Sequence, residues 1–189
     1  MSTVYYTFIE NNNKKDESVL ALNALASLYK KVTGSLALPE IMKNSSGKPY
    51  FVNSPYFFNY SHTNGGILVA LSLCEVGCDI QCQRNVTNSL IKKVFSIEEQ
   101  TEINSRSDKS IIFYLWAYKE AYVKLLGSSI FKEKLEDVVP NAFLTSLKEG
   151  VYTKDNHSFY LFSHISNGVT LFEAITTLNV DAEFQEITL

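Results

Sequence analysis

Trp116, Glu120 and Lys124 follow one another at four-residue spacing within Trp116-Ala117-Tyr118-Lys119-Glu120-Ala121-Tyr122-Val123-Lys124. On a helix this spacing sets an indole, a carboxylate and an ammonium along one line. An ionised carboxylate on so apolar a helix is costly to bury unless a cation, a metal or hydrogen bonds compensate it. The plainest compensation is a Glu120/Lys124 helix pair, worth about 0.2–0.5 kcal/mol. Asp79, in Val76-Gly77-Cys78-Asp79-Ile80, offers a second carboxylate from the first half of the chain. Two oxygen donors with few or no His or Cys partners suit Mg²⁺, which keeps waters and takes its remaining ligands from substrate phosphates.

The elements that must position these groups can be read from periodicity. Val4 to Ile9 is β-branched and aromatic and predicts a strand ended by Asn11-Asn12-Asn13. Ser18 to Lys31 predicts a helix, with Asp16 as its cap and Gly34 as its stop. Pro39 to Pro49 reads as loop, and Ile67–Leu73 with Val76–Ile80, separated by Cys74-Glu75, predict an antiparallel hairpin with Asp79 near its end. Helical segments follow over Val86–Val94, from Ser96 onward, and from Ser107 or Asp108 to Gly127, which places Glu120 in the middle of a helix. Val151–Thr153, Phe159–Ile165 and Val169–Thr177 then form a meander. This order predicts an α+β protein of two lobes, 1–82 and 83–189, and carboxylates from opposite halves meet naturally between lobes.

Composition narrows the partners. With 17 basic and 20 acidic residues the chain carries a formal charge of −3, against a nucleic-acid partner held by a broad basic surface. The longest apolar run is too short to span a bilayer, and Met1-Ser2-Thr3-Val4-Tyr5-Tyr6 does not resemble a signal peptide, so a cytoplasmic protein without membrane contact is expected. Cys74, Cys78 and Cys82 fit neither a metal pair nor a disulfide framework and read as small core hydrophobes. His157 and His164 read as structural.

Five segments, in order, carry a resemblance: Gly47-Lys48-Pro49-Tyr50-Phe51, Phe58-Asn59-Tyr60-Ser61-His62-Thr63, Val76-Gly77-Cys78-Asp79-Ile80, Phe95-Ser96-Ile97-Glu98-Glu99 and the Trp116 to Lys124 run. Together they resemble the 4'-phosphopantetheinyl transferases, in the larger monomeric class typified by the surfactin-synthetase activator. The resemblance implies a pseudo-two-fold pair of α+β lobes, each with an antiparallel sheet and packed helices, with coenzyme A and Mg²⁺ in the cleft between them. The implied reaction is attack by a serine hydroxyl of an apo acyl or peptidyl carrier protein on the β-phosphate of coenzyme A, releasing adenosine 3',5'-bisphosphate. In that family pattern Asp79 and Glu120 bind the metal and Lys124 steadies or protonates the leaving phosphate. Glu99 matches an acid that helps deprotonate the serine, a task open also to Glu120 or a metal-bound water. Lys48, Ser61 and His62 match contacts to coenzyme A phosphates, and Trp116 packs behind the site.

Two departures stand out. The family usually has an acid two residues after the metal aspartate, where this chain has Gln81, an amide that offers the metal an oxygen but no charge. The segment before Gly47 lacks the Arg-rich helix that larger relatives use near the 3'-phosphate, leaving Lys14, Lys15, Lys30, Lys31 or Lys43 as substitutes. Both departures motivate a rival reading: a degenerate relative that binds coenzyme A or a carrier without transfer. A metal-dependent phosphohydrolase accounts for Asp79 and Glu120 but not for Lys124 within the full series.

Overall fold

A computed structural model describes residues 2–11, 16–133, 135, 137–146 and 148–189. In chain order the elements are β1 (Thr3–Asn11), α1 (Glu17–Thr33), β2 (Ile41–Lys43), β3 (Pro49–Phe51), β4 (Phe57–Thr63), β5 (Gly65–Ser72) and β6 (Val76–Cys82). They continue with α2 (Asn88–Val94), α3 (Ile97–Ser105), α4 (Ile111–Leu126), α5 (Asn141–Ser146), β7 (Gly150–Lys154), β8 (His157–Ser166), β9 (Val169–Thr177) and β10 (Glu183–Glu186). This is a mixed α+β protein with two four-stranded sheets, ordered β10-β1-β5-β4 and β6-β9-β8-β7, and a small β2-β3 pair. All pairings are antiparallel except β1 with β10, which run parallel from Thr3↔Glu183 to Tyr6↔Glu186.

The period of two along each strand builds four layers. On β5, Ile67, Val69 and Leu71 pack against Ala21, Leu25 and Leu28 of α1, while Leu68 and Ala70 face the second sheet. On β9, Leu171 and Ile175 return that contact, and Ala174, with Phe159 and Leu161 of β8, packs against α4. The order is therefore α1, first sheet, second sheet, α4 with the other helices. Strands buried on both faces need apolar side chains at every position, which is why β5 reads as a continuous apolar run.

The expected hairpin between Ile67–Leu73 and Val76–Ile80 does not form. β5 stays in the first sheet, and β6 pairs with β9 in the second, from Val76↔Thr177 to Cys82↔Leu171. The physical reason lies in the packing of β6. Val76, Cys78 and Ile80 fill the inter-sheet core, while a Cβ on Gly77 would stand 2.1 Å from the Ala121 carbonyl oxygen and 2.6 Å from the Leu125 nitrogen. Glycine there lets β6 lie directly on the backbone of α4.

Helix ends follow their local chemistry with two differences. Gly34 and Gly127 terminate α1 and α4 with positive φ, as a C-terminal glycine should. Asp16 precedes α1 but adopts a left-handed conformation and makes no side-chain cap. Asp108 lies ahead of α4, its two oxygens taken by the nitrogen and hydroxyl of Ser110. Cys74, Cys78 and Cys82 are free thiols, of which Cys78 is fully buried.

Candidate functional site

β6 and α4, pressed together at Gly77, bring Asp79 to the last two turns of the helix. Asp79 Oδ1 accepts from Lys124 Nζ at 2.6 Å and from the Ser61 hydroxyl of β4 at 2.7 Å; Lys124 Nζ also donates to Ser61 Oγ at 2.9 Å. Gln81 lies two residues along β6 on the same face, and its Nε2 donates to Asp79 Oδ2 at 2.6 Å. Glu120, one turn before Lys124, has no ion-pair partner among the described residues. Its carboxyl is pushed up chiefly by burial and then by Asp79, against opposing pulls from Lys124 and Arg84. Burial alone would lower Lys124, but Asp79 and the other anionic neighbours raise it on balance, so the ammonium is charged.

These groups share one cavity of about 410 Å³, lined by Ser61, His62, Asp79, Gln81, Arg84, Trp116, Glu120 and Lys124 among others. A second cavity of about 290 Å³ adjoins it through Tyr60 and Lys124, and is bordered by Lys43, Ser46, Gly47 and Lys48. Lys48 donates from Nζ to Glu75 Oε2 at 2.6 Å and to the Leu125 carbonyl at 2.9 Å, tying the β3 region to the end of α4. His62 Nδ1 lies 2.8 Å from Glu17 Oε2 at the start of α1.

The fit of a hard divalent cation can be judged from the donors. Asp79 and Glu120 present carboxylate oxygens to one cavity, and among the described residues no cluster of three or more His, Cys, Asp or Glu could enclose a metal by itself. That donor set suits Mg²⁺, with waters and ligand oxygens completing its shell. Gln81 turns its nitrogen, not its oxygen, to Asp79 and so holds that carboxylate in place.

Glu99 lies elsewhere. It is 1% exposed, closes a capping box with Ser96 at the start of α3, and takes Lys119 Nζ on Oε2 at 2.5 Å. Burial pushes its carboxyl up while Lys119 opposes the shift, and it does not line the Asp79 cavity. Of the alternative lysines, Lys14 and Lys15 lie outside the described residues, and Lys31 donates to the Thr188 carbonyl. Lys30 is exposed in the last turn of α1, and Lys43 faces the adjoining cavity. Arg84, which spacing alone did not mark, stands at the main cavity with its guanidinium 5.5 Å from the Trp116 ring centroid.

Residues 75–174, more than half of the chain, match the model of the 4'-phosphopantetheinyl transferase superfamily. The chain belongs to that superfamily. Within it, the chain is 32% identical over 92 residues to the 4'-phosphopantetheinyl transferase gsp of Aneurinibacillus migulanus, covering 47% of this chain and 38% of that relative. It is 35% identical over 102 residues to the L-aminoadipate-semialdehyde dehydrogenase-phosphopantetheinyl transferase of Saccharomyces cerevisiae, covering 47% and 37%. It is 27% identical over 88 residues to the 4'-phosphopantetheinyl transferase Sfp of Bacillus subtilis strain 168, covering 44% and 39%. The matched region thus spans about two fifths of each relative. This superfamily member resembles the Sfp type, and its matched region contains Asp79, Gln81, Glu99, Glu120 and Lys124. None of its described helices is long and apolar enough to cross a membrane.

Proposed function

We propose that this chain transfers the 4'-phosphopantetheine group of coenzyme A to a serine of an apo acyl or peptidyl carrier protein, with Mg²⁺ as its metal. The observation that carries the reading is the convergence of Ser61, Asp79, Glu120 and Lys124, from three separate family motifs, on one cavity. Two α+β lobes, 1–82 and 83–189 with β6 and β10 lent across, would form the cleft in which coenzyme A lies. The protein would work as a cytoplasmic monomer.

Asp79 and Glu120 would hold the metal, with Gln81 and Ser61 orienting Asp79. A metal bound there would neutralise charge on the pyrophosphate oxygens and so stabilise the departing bisphosphate. The carrier's serine oxygen forms a bond to the β-phosphorus as the bond from that phosphorus to the bridging oxygen breaks. Adenosine 3',5'-bisphosphate leaves with the bridging oxygen, and Lys124 stabilises or protonates it. With Glu99 sealed against Lys119, the serine proton would pass to the Glu120 oxygen not engaged by the metal or to a metal-bound water. Lys48, Lys43 and His62 would contact the nucleotide phosphates. The carrier's acidic helix would dock beside Lys92 and Lys93, where exposed Ile97 lines a cavity of about 550 Å³ and exposed Phe131 lies against Lys93.

The test is direct: incubate the protein with Mg²⁺, coenzyme A and several apo-carriers, then record each carrier's intact mass. A phosphopantetheine adduct is expected. Coenzyme A binding with no adduct on any carrier would favour the rival reading, a non-catalytic binding relative, which Gln81 in the place of an acid supports.

A further inference from the structure

Two side chains of the main cavity, Glu120 and Arg84, feel each other's charge without closing an ion pair among the described residues. Asp79 is answered by Lys124, and His62 lies against Glu17. Glu120 is half-buried in the cavity wall and has no cation within ion-pair distance among the described residues. Arg84 lines the same cavity and makes no ion pair among the described residues; its guanidinium lies over the Trp116 indole instead. An aromatic face attracts a guanidinium while leaving its N–H fork available for an oxyanion.

One ligand chemistry satisfies both: phosphate oxygens that carry a chelated divalent cation. The cation answers Glu120 and the oxygens answer Arg84. An acidic side chain of a partner protein would satisfy Arg84 and leave Glu120 as it is. We propose that Arg84 binds the phosphate oxygens of the coenzyme A pyrophosphate and that Trp116 is the positioning residue that holds it there. The assignment rests on the transferase reading above.

Trp116 is well suited to the task. It is 9% exposed, packed edge-on against Phe95 with centroids 6.3 Å apart, and it stands one turn before Glu120 on α4. The same helix thus sets the spacing between the metal-binding carboxylate and the ring on which Arg84 rests.

The test is calorimetric titration of coenzyme A with Mg²⁺ into the whole chain, without carrier. Arg84→Gln is expected to weaken binding by about tenfold or more and to flatten its salt dependence; Arg84→Lys falls between it and the wild type, because a point charge replaces a bidentate fork. Trp116→Leu is expected to weaken binding less, and the double variant Arg84→Gln/Trp116→Leu to bind no worse than Arg84→Gln alone. In turnover, Arg84→Gln should raise the KM for coenzyme A and leave that for the carrier unchanged. Arg84 is exposed, so its variants do not depend on the tolerance of the core. Equal binding by Arg84→Gln and wild type, or a change confined to the carrier KM, overturns the assignment alone. A wild-type chain that binds no coenzyme A overturns the transferase reading and the assignment with it.

Discussion

Helix α4 carries two lysine–carboxylate pairs five residues apart, in opposite surroundings. Lys119 and Glu99 are 0% and 1% exposed, and Lys119 also donates to the Val94 carbonyl. Lys124 and Asp79 are 29% and 3% exposed, and they open on the cavity that Glu120 and Arg84 share. A sealed pair can only hold the fold together, since no ligand can exchange with either partner. An open pair can trade its partner for a substrate or a metal. Identical chemistry on one helix is thus sorted into structure and function by access.

The largest effect should come at the open pair. Asp79→Ala and Glu120→Ala are each expected to abolish Mg²⁺-dependent transfer, read by carrier mass, while Glu120→Ala keeps a urea melt within about 1–2 kcal/mol of wild type. Wild-type turnover in either variant would remove these carboxylates from the site.

Next is the sealed pair. Lys119→Met leaves Glu99 buried and uncompensated and should cost about 3–5 kcal/mol in urea denaturation. Replacing both partners, Glu99→Leu with Lys119→Met, should recover much of that loss, less about 1 kcal/mol for the lost capping box. The double variant also sharpens the comparison: if it folds yet transfers nothing, Glu99 returns to the reacting groups.

A third pair lies between the sheets. His164 Nδ1 sits 2.5 Å from Glu173 Oε2, the imidazole stacks on Phe8, and Glu186 lies 3.8 Å from Nε2. Burial raises Glu173 to about 7, and its hydrogen bond to His164 raises the imidazole above its ordinary value. The fold therefore keeps a proton that an unfolded chain, with His near 6.5 and Glu near 4.3, has released by neutral pH. The stability contributed by Glu173 is full below about pH 4.3 and lost as pH rises through about 7, and that contributed by His164 is full below about pH 6.5 and lost above it. A fall in urea-measured stability as pH rises from about 4 to 8 is expected, and Glu173→Gln should flatten it; an unchanged slope would show that the pair does not hold the proton. The smallest effect belongs to the solvated Glu102–Arg106 pair of α3, where Glu102→Gln should change stability by less than about 0.5 kcal/mol.

The sequence made some of this legible because local spacing carried it. Glu120 and Lys124 are four apart, and a helix stopped by Gly127 must place them on one face. Lys119 was opaque for the same reason: a charge in mid-helix gives no sign of whether it meets water or a buried acid from another helix. Gln81 could be read as an oxygen ligand, but only its partner decides which end of an amide points inward. Partner choice likewise governed β6, whose apolar run suits a hairpin with β5 as well as the pairing with β9 that three-dimensional packing selects. β10 had no local signal, being four residues long and polar.

The parallel pairing of β10 with β1 also puts a clock on assembly. Thr3 must wait for Glu183, so the outer edge of the first sheet stays uncovered until the ribosome has passed residue 186. At about 5–20 residues per second that is roughly 10–40 seconds, during which β1 offers an unpaired strand edge to other nascent chains.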